Sequence, residues 1–186
     1  MKLATTISMR IAVSTVPLLV NADDDSFSSW LFSADRKKEI APADDATYLE
    51  ECGACHFPYQ PGLLPEASWK KVMKASALED HFTENAELDE ETRIHIEHYL
   101  ITNSADKSRY KRSRKIMASL KSGEAPMRIT EVPYIIEKHD EIPQKLIKDN
   151  DKVKALSFCD KCHQDAQSGN FEEDSVKIPG HGRWSD

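Results

Sequence analysis

Apolar and polar residues recur along this chain at helical spacing, and no run alternates for long as a strand would. Asp44 and Asp45 precede Tyr48, Leu49 and Cys52. A short carboxylate there can accept from the first free N–H groups of a helix, so a helix is expected to start at this point. Residues 57–62 contain two prolines and must be irregular. Pro65 can open the next helix, with Trp69, Val72, Met73 and Ala77 facing inward. Asp89-Glu90-Glu91 marks another start, carrying Ile94, His98 and Ile101 on one face. A fourth helix is expected from near Ser104 to Gly123, with Tyr110, Ser113, Met117 and Leu120 along one stripe. Residues 126–133 break the pattern and form a candidate interdomain segment. Ser157 to Asp160 resembles a capping box that opens a last helix, closed by Gly169. The pattern predicts a mostly α fold with long loops and little or no sheet.

All four cysteines fall in two copies of one motif, Cys52-Gly-Ala-Cys55-His56 and Cys159-Asp-Lys-Cys162-His163. C-x-x-C-H is the attachment signature of c-type haem. The two thiols add to the porphyrin vinyl groups, and the adjacent histidine coordinates the iron. With only seven histidines in 186 residues, one directly after each motif is not explained by composition. A zinc ribbon pairs its C-x-x-C units about 15–20 residues apart, whereas 103 residues lie between Cys55 and Cys159. A thioredoxin-like pair needs a βαβ context that is missing around both motifs, and two disulfides would leave both histidines unexplained. The expected cofactors are therefore two covalently bound haem c groups, held through Cys52, Cys55, Cys159 and Cys162, with His56 and His163 on the irons. Composition agrees. Apolar residues are 39% of the chain, and adding the six glycines still leaves it below the usual range of about 45–50%. Two buried porphyrins would supply the missing apolar surface.

Residues 1–22 read as a secretory signal peptide. Lys2 and Arg10 give a positive start, residues 11–20 are mostly apolar, and Ala22 offers a cleavage point before Asp23-Asp24-Asp25. The apolar run is too short for a convincing transmembrane helix, so the mature chain is expected to have no transmembrane span. Because haem is attached outside the bacterial cytoplasm, export and the haem motifs support each other, and the periplasm is the expected location. Loss of Lys2 and Arg10 would move the formal charge from −7 to −9. That acidity disfavours nucleic acid as a partner. Lys107, Arg109, Lys111, Arg112, Arg114 and Lys115 nevertheless crowd into nine residues, either as a solvated helix face or as a dock for an acidic redox partner.

Each iron needs a sixth ligand or an open position. Beyond the motifs, the candidates are His81, His95, His98, His139 and His181, with Met73, Met117 and Met127. His81 and His139 each lie where an apolar segment meets a turn. His95 and His98 lie among charges on a helix, and His181 sits between two glycines near the end.

The chain resembles the dihaem cytochrome c family of bacterial periplasmic electron carriers from about Tyr48 to Pro179. The resemblance rests on Cys52 to His56, on residues 61–65, on Ser68-Trp69 and on residues 81–88. It continues through residues 128–131, Lys138-His139, Cys159 to His163 and Ile178-Pro179. The family has glycine where this chain has Thr83. The resemblance implies two small haem-binding domains, the first similar to a class I cytochrome c, the second a smaller and unusual wrap. The corresponding division is a polar segment 23–43, an N-terminal haem domain 44–125 and a C-terminal haem domain 126–186. It also implies histidine on both sides of each iron, which carries the distal roles onto His81 and His139; chain order pairs His81 with His56 and His139 with His163. Two histidines give a low potential and no open coordination position. The expected function is a non-enzymatic electron shuttle; the alternative is a small haem reductase, peroxidase or ligand sensor with one open iron site. A membrane b-type cytochrome as donor and an oxygen-binding monohaem cytochrome as acceptor are the partners the resemblance implies.

Overall fold

Asp45 caps the first helix, α1 (Ala46–Gly53), its Oδ1 accepting from Tyr48 N at 2.8 Å. This computed structural model describes residues 39–184, so the signal peptide at 1–22 lies outside the described residues. Among those described, no helix is long and apolar enough to cross a membrane.

After α1 the chain is irregular to Gln60 and then makes a 3₁₀ turn (Pro61–Leu63). Helix α2 (Glu66–Val72) follows Pro65 and buries Trp69 and Val72. The single inward face expected from Trp69 to Ala77 is interrupted, because a second short helix, α3 (Ala75–Glu79), starts after Lys74. Arg93 Nη1 donates to the Met73 carbonyl at 2.9 Å, and Ala77 N turns instead to Lys74 O at 2.9 Å. Leu78, not Ala77, is the buried residue of α3.

Helix α4 (Glu90–Thr102) has its expected cap, with Asp89 Oδ1 accepting from Thr92 N at 3.0 Å. Its inner face is not the expected one. Ile94 is 52% exposed and His98 is exposed, whereas Ile96 and Leu100 are buried. The Arg93–Glu97 ion pair flanks that face, and the Arg93 guanidinium reaches the carbonyl that ends α2.

Helix α5 (Lys111–Ser119) starts later than predicted. Ala105 N donates to Leu64 O at 2.9 Å, a tertiary bond incompatible with helix there, and residues 103–107 form turns and bends. Ser113 and Ile116 are its buried residues. Ser113 Oγ donates to Gly62 O at 2.9 Å, and a Cβ on Gly62 would lie 2.7 Å from that hydroxyl, so only glycine permits this approach.

Downstream come α6 (Pro133–Glu137) and α7 (Cys159–Cys162). The last helix is a single turn, not a run to Gly169. Phe158 occupies its N-cap without a side-chain bond, so the expected Ser157 box does not form. His163 then leaves helical geometry with ψ 85°, and a separate 3₁₀ turn (Ala166–Ser168) ends at Gly169 in the left-handed region. The described residues contain one small sheet, β1 (Lys177–Ile178) antiparallel to β2 (Gly182–Arg183). The fold is mostly helical, as the sequence pattern predicts.

The main core gathers Tyr48, Trp69, Ile96, Leu100 and Ile116 with Val132, Tyr134, Ala166 and Phe171. This core takes residues from both sides of residue 126. Ile147, Val153, Val176 and Ile178 form a second, smaller cluster, with Cys162 and Trp184 at its edge. Full burial of one such isoleucine stabilises by roughly 1.5–3 kcal/mol.

Candidate haem centres

Helix α1 carries Cys52 half-buried and delivers Cys55 and His56 at its end. His56 Nδ1 lies 2.8 Å from the Phe57 carbonyl, which can only accept. The proton therefore sits on Nδ1 and the Nε2 lone pair is free, the arrangement a metal-binding imidazole needs. Facing it is His81, ring centroids 6.3 Å apart and planes 17° from parallel.

A tight turn holds His81. Its N–H donates to Glu84 O at 2.7 Å and its carbonyl accepts from Glu84 N at 3.2 Å. Phe82 and Thr83 between them have φ of 56° and 87°. Positive φ at both central positions is what a type I′ turn demands. Arg128 stacks over Phe82 at 3.9 Å. Burial, with smaller contributions from His56 and Arg128, lowers the His81 pKa, which favours the neutral imidazole.

The second centre has the same plan from different elements. Helix α7 presents Cys159, Cys162 and then His163; the turn after α6 presents His139. Their ring centroids are 6.1 Å apart with planes at 70°. His139 Nδ1 donates to Ile135 O at 2.7 Å, again leaving Nε2 free. His163 is pushed down to about 4 by burial, helped by His139 and Arg112, and its Nδ1 is buried without a hydrogen-bond partner. Burial likewise lowers His139. Phe171 packs 5.3 Å from the His163 ring.

These residues fit two haem c groups. The four thiols are free and occur in two pairs. Burial pushes Cys52 up to about 11 and Cys159 to about 12, so both are neutral. Each pair sits beside two imidazoles held apart. A metal–imidazole bond of about 2 Å on each side, with the ring centre about 1 Å further, would separate the centroids by about 6 Å. Among the described residues, no three His, Cys, Asp or Glu side chains converge as a zinc site requires. His95 instead pairs with the capping Asp45 at 2.9 Å, His98 is exposed, and His181 packs near Trp184 at 6.2 Å. Met73 is buried in the main core.

Sequence reading missed three residues that shape these centres. Tyr59 lies 5.0 Å from the His56 ring, and its hydroxyl donates to Ser157 O at 2.7 Å, just before Cys159. It thus ties one attachment motif to the other. Phe171 lies against His163, and Arg112 reaches the same region from α5. No local pattern marks Tyr59 or Phe171. For Arg112 a signal exists: it stands one turn before the fully buried Ile116.

The comparisons agree with this chemistry. The family described as dihaem cytochrome c matches residues 48–171, two thirds of the chain. The X-ray structure of a diheme c-type cytochrome from Shewanella baltica OS155 is 39% identical, with a TM-score of 0.61 over 75% of this chain and 97% of that one. A diheme cytochrome c from Rhodobacter sphaeroides is 37% identical, with a TM-score of 0.62 over 71% of this chain and 100% of that one. No curated protein matches. With two attachment motifs, two pairs of facing histidines and these relatives, the chain belongs to the dihaem cytochrome c family and is a haem-based electron-transfer protein with two covalently bound haem c groups.

Proposed function

We propose that this protein is a periplasmic electron shuttle whose two haems are each held between two histidines, at low potential. The observation that carries the proposal is the facing of each motif histidine by a second one, His56 with His81 at 6.3 Å and His139 with His163 at 6.1 Å. Bound haem supplies the one-electron chemistry. The chain attaches it through Cys52, Cys55, Cys159 and Cys162. The hydrogen bonds from His56 and His139 to backbone carbonyls fix ring orientation and tautomer. Burial keeps His81, His139 and His163 neutral and ready to ligate. Methionine opposite histidine raises a haem potential, so histidine on both sides keeps it low. It also fills the position that a reductase, peroxidase or ligand sensor would leave open.

A membrane b-type cytochrome as donor and an oxygen-binding monohaem cytochrome as acceptor suit such a carrier, with the exposed cations Arg109, Lys111 and Arg114 as the docking surface. Arg112 is largely buried and so does not belong to that surface.

Replacement of the distal histidines tests the proposal. His81→Met and His139→Met should each raise the potential of one haem and leave the other nearly unaltered, read by potentiometric titration. Unchanged potentials and spectra in both variants, with changes in His95→Ala or His98→Ala, would overturn the ligand assignment.

A further inference from the structure

The basic run on α5 hides one residue of a different kind. Arg112 is only 13% exposed, and its guanidinium faces away from the run towards the second histidine pair. Nη1 donates to Tyr134 Oη at 3.1 Å, and Nη2 donates to Phe171 O at 3.1 Å and to the Glu39 carboxylate. Glu39 is 14% exposed, and its carbonyl also accepts from Arg112 N at 3.3 Å. The guanidinium carbon lies 5.7 Å from the Tyr134 ring centre and 6.0 Å from that of Phe171. Phe171 in turn packs on His163. Nε is buried with no partner.

We infer that Arg112, opposed by Glu39, is an internal charge pair that sets the reduction potential of the C-terminal haem. This rests on the proposed ligation of that haem by His139 and His163. The physics is Coulombic. A ferric haem carries one more positive charge than a ferrous one, so a nearby cation destabilises the oxidised form and raises the potential, and a nearby anion lowers it. In a largely buried place that interaction is weakly screened. One carboxylate and two neutral oxygens surround the cation, and the buried Nε–H has no partner. Through Phe171, whose carbonyl accepts from the guanidinium and whose ring packs on His163, the cation stands next to the C-terminal centre. The corresponding cation of the first centre, Arg128, is 50% exposed and so is far better screened.

Arg112 would act through the field and not by touching the iron, which makes it a positioning and tuning residue. The test uses the haem-loaded full chain and potentiometric titration of both haems. The C-terminal haem is identified as the one whose wave moves in His139→Met. Arg112→Gln should lower that wave, Glu39→Gln should raise it, and Arg112→Lys should leave it near wild type. The wave of the other haem should move less in every case. Both Arg112→Gln and Glu39→Gln break the same ion pair, so a merely structural role predicts shifts of the same sign. Same-sign shifts, or none, would overturn the inference while leaving the ligand assignment intact. If Arg112→Gln fails to fold, the Glu39→Gln shift decides alone: upward supports the inference, downward or absent overturns it. If His139→Met moves no wave, the ligand assignment has failed, and opposite shifts confined to one wave would still establish the pair as a potential-setting one.

Discussion

Phe82 and Thr83 carry the backbone strain of the first centre. Positive φ suits glycine, and for a β-branched residue such as Thr83 at 87° it costs on the order of 1–3 kcal/mol. The turn nevertheless holds, because both its cross-bonds form and Arg128 covers Phe82. Thr83→Gly should therefore raise stability by about 1 kcal/mol, seen as a higher thermal midpoint of the haem-loaded protein with an unaltered visible spectrum. A midpoint no higher than wild type would show that the turn is not strained. At this scale the sequence is informative where chemistry is local. The attachment motif is contiguous, so both copies can be read directly, and His81 and His139 stand out as corners where apolar segments meet turns. Tyr59 stays hidden because its role depends on segments 98 residues apart meeting, and Phe171 because it joins His163 to Arg112, 59 residues earlier; no local periodicity encodes either.

Caps were the most legible feature of the elements. Asp45 and Asp89 both accept from the N–H three residues on, the local chemistry that the sequence predicts. Asp45→Ala should cost about 1 kcal/mol and fray the start of the helix that bears Cys52, measurable by denaturant unfolding and by faster amide exchange near Thr47 and Tyr48. Equal stability and equal exchange would show the cap to be idle. The Asp45 pKa is lowered, chiefly by the Tyr48 N–H, so this contribution is present above the unfolded carboxyl pKa and is lost as pH falls through the lower folded value. Helix faces and ends were less legible. The stripe of Ile94, His98 and Ile101 fits helical spacing, yet packing against α2 selects Ile96 and Leu100. Tertiary bonds from Arg93 to Met73 O and from Ala105 to Leu64 O end helices at places where local propensity would continue them. One-turn α7 is the extreme case: after Cys162 the chain bends so that His163 faces His139, and the helix stops.

For the molecule as a whole, fold class follows from composition and periodicity, while the joining of the two halves by Tyr59, Gln60 and Arg112 does not. A formal charge of −7 with exposed cations on α5 and the turn before it makes the charge distribution uneven. Reversing Arg109, Lys111 and Arg114 to glutamate should slow bimolecular electron transfer from an acidic donor at low salt. The deficit should shrink towards physiological ionic strength, where the screening length is about 8 Å. Equal low-salt rates would leave these cations as a solvated helix face. The central claim, that each iron lies between two histidines, is tested most directly by low-temperature EPR of the ferric protein. Near-parallel imidazole planes give a rhombic low-spin signal, and near-perpendicular planes give a far more anisotropic one. Interplanar angles of 17° for His56–His81 and 70° for His139–His163 predict one signal of each type in equal amounts, with no high-spin component. A high-spin signal comparable in weight to either would place an open coordination position on one iron and contradict the account.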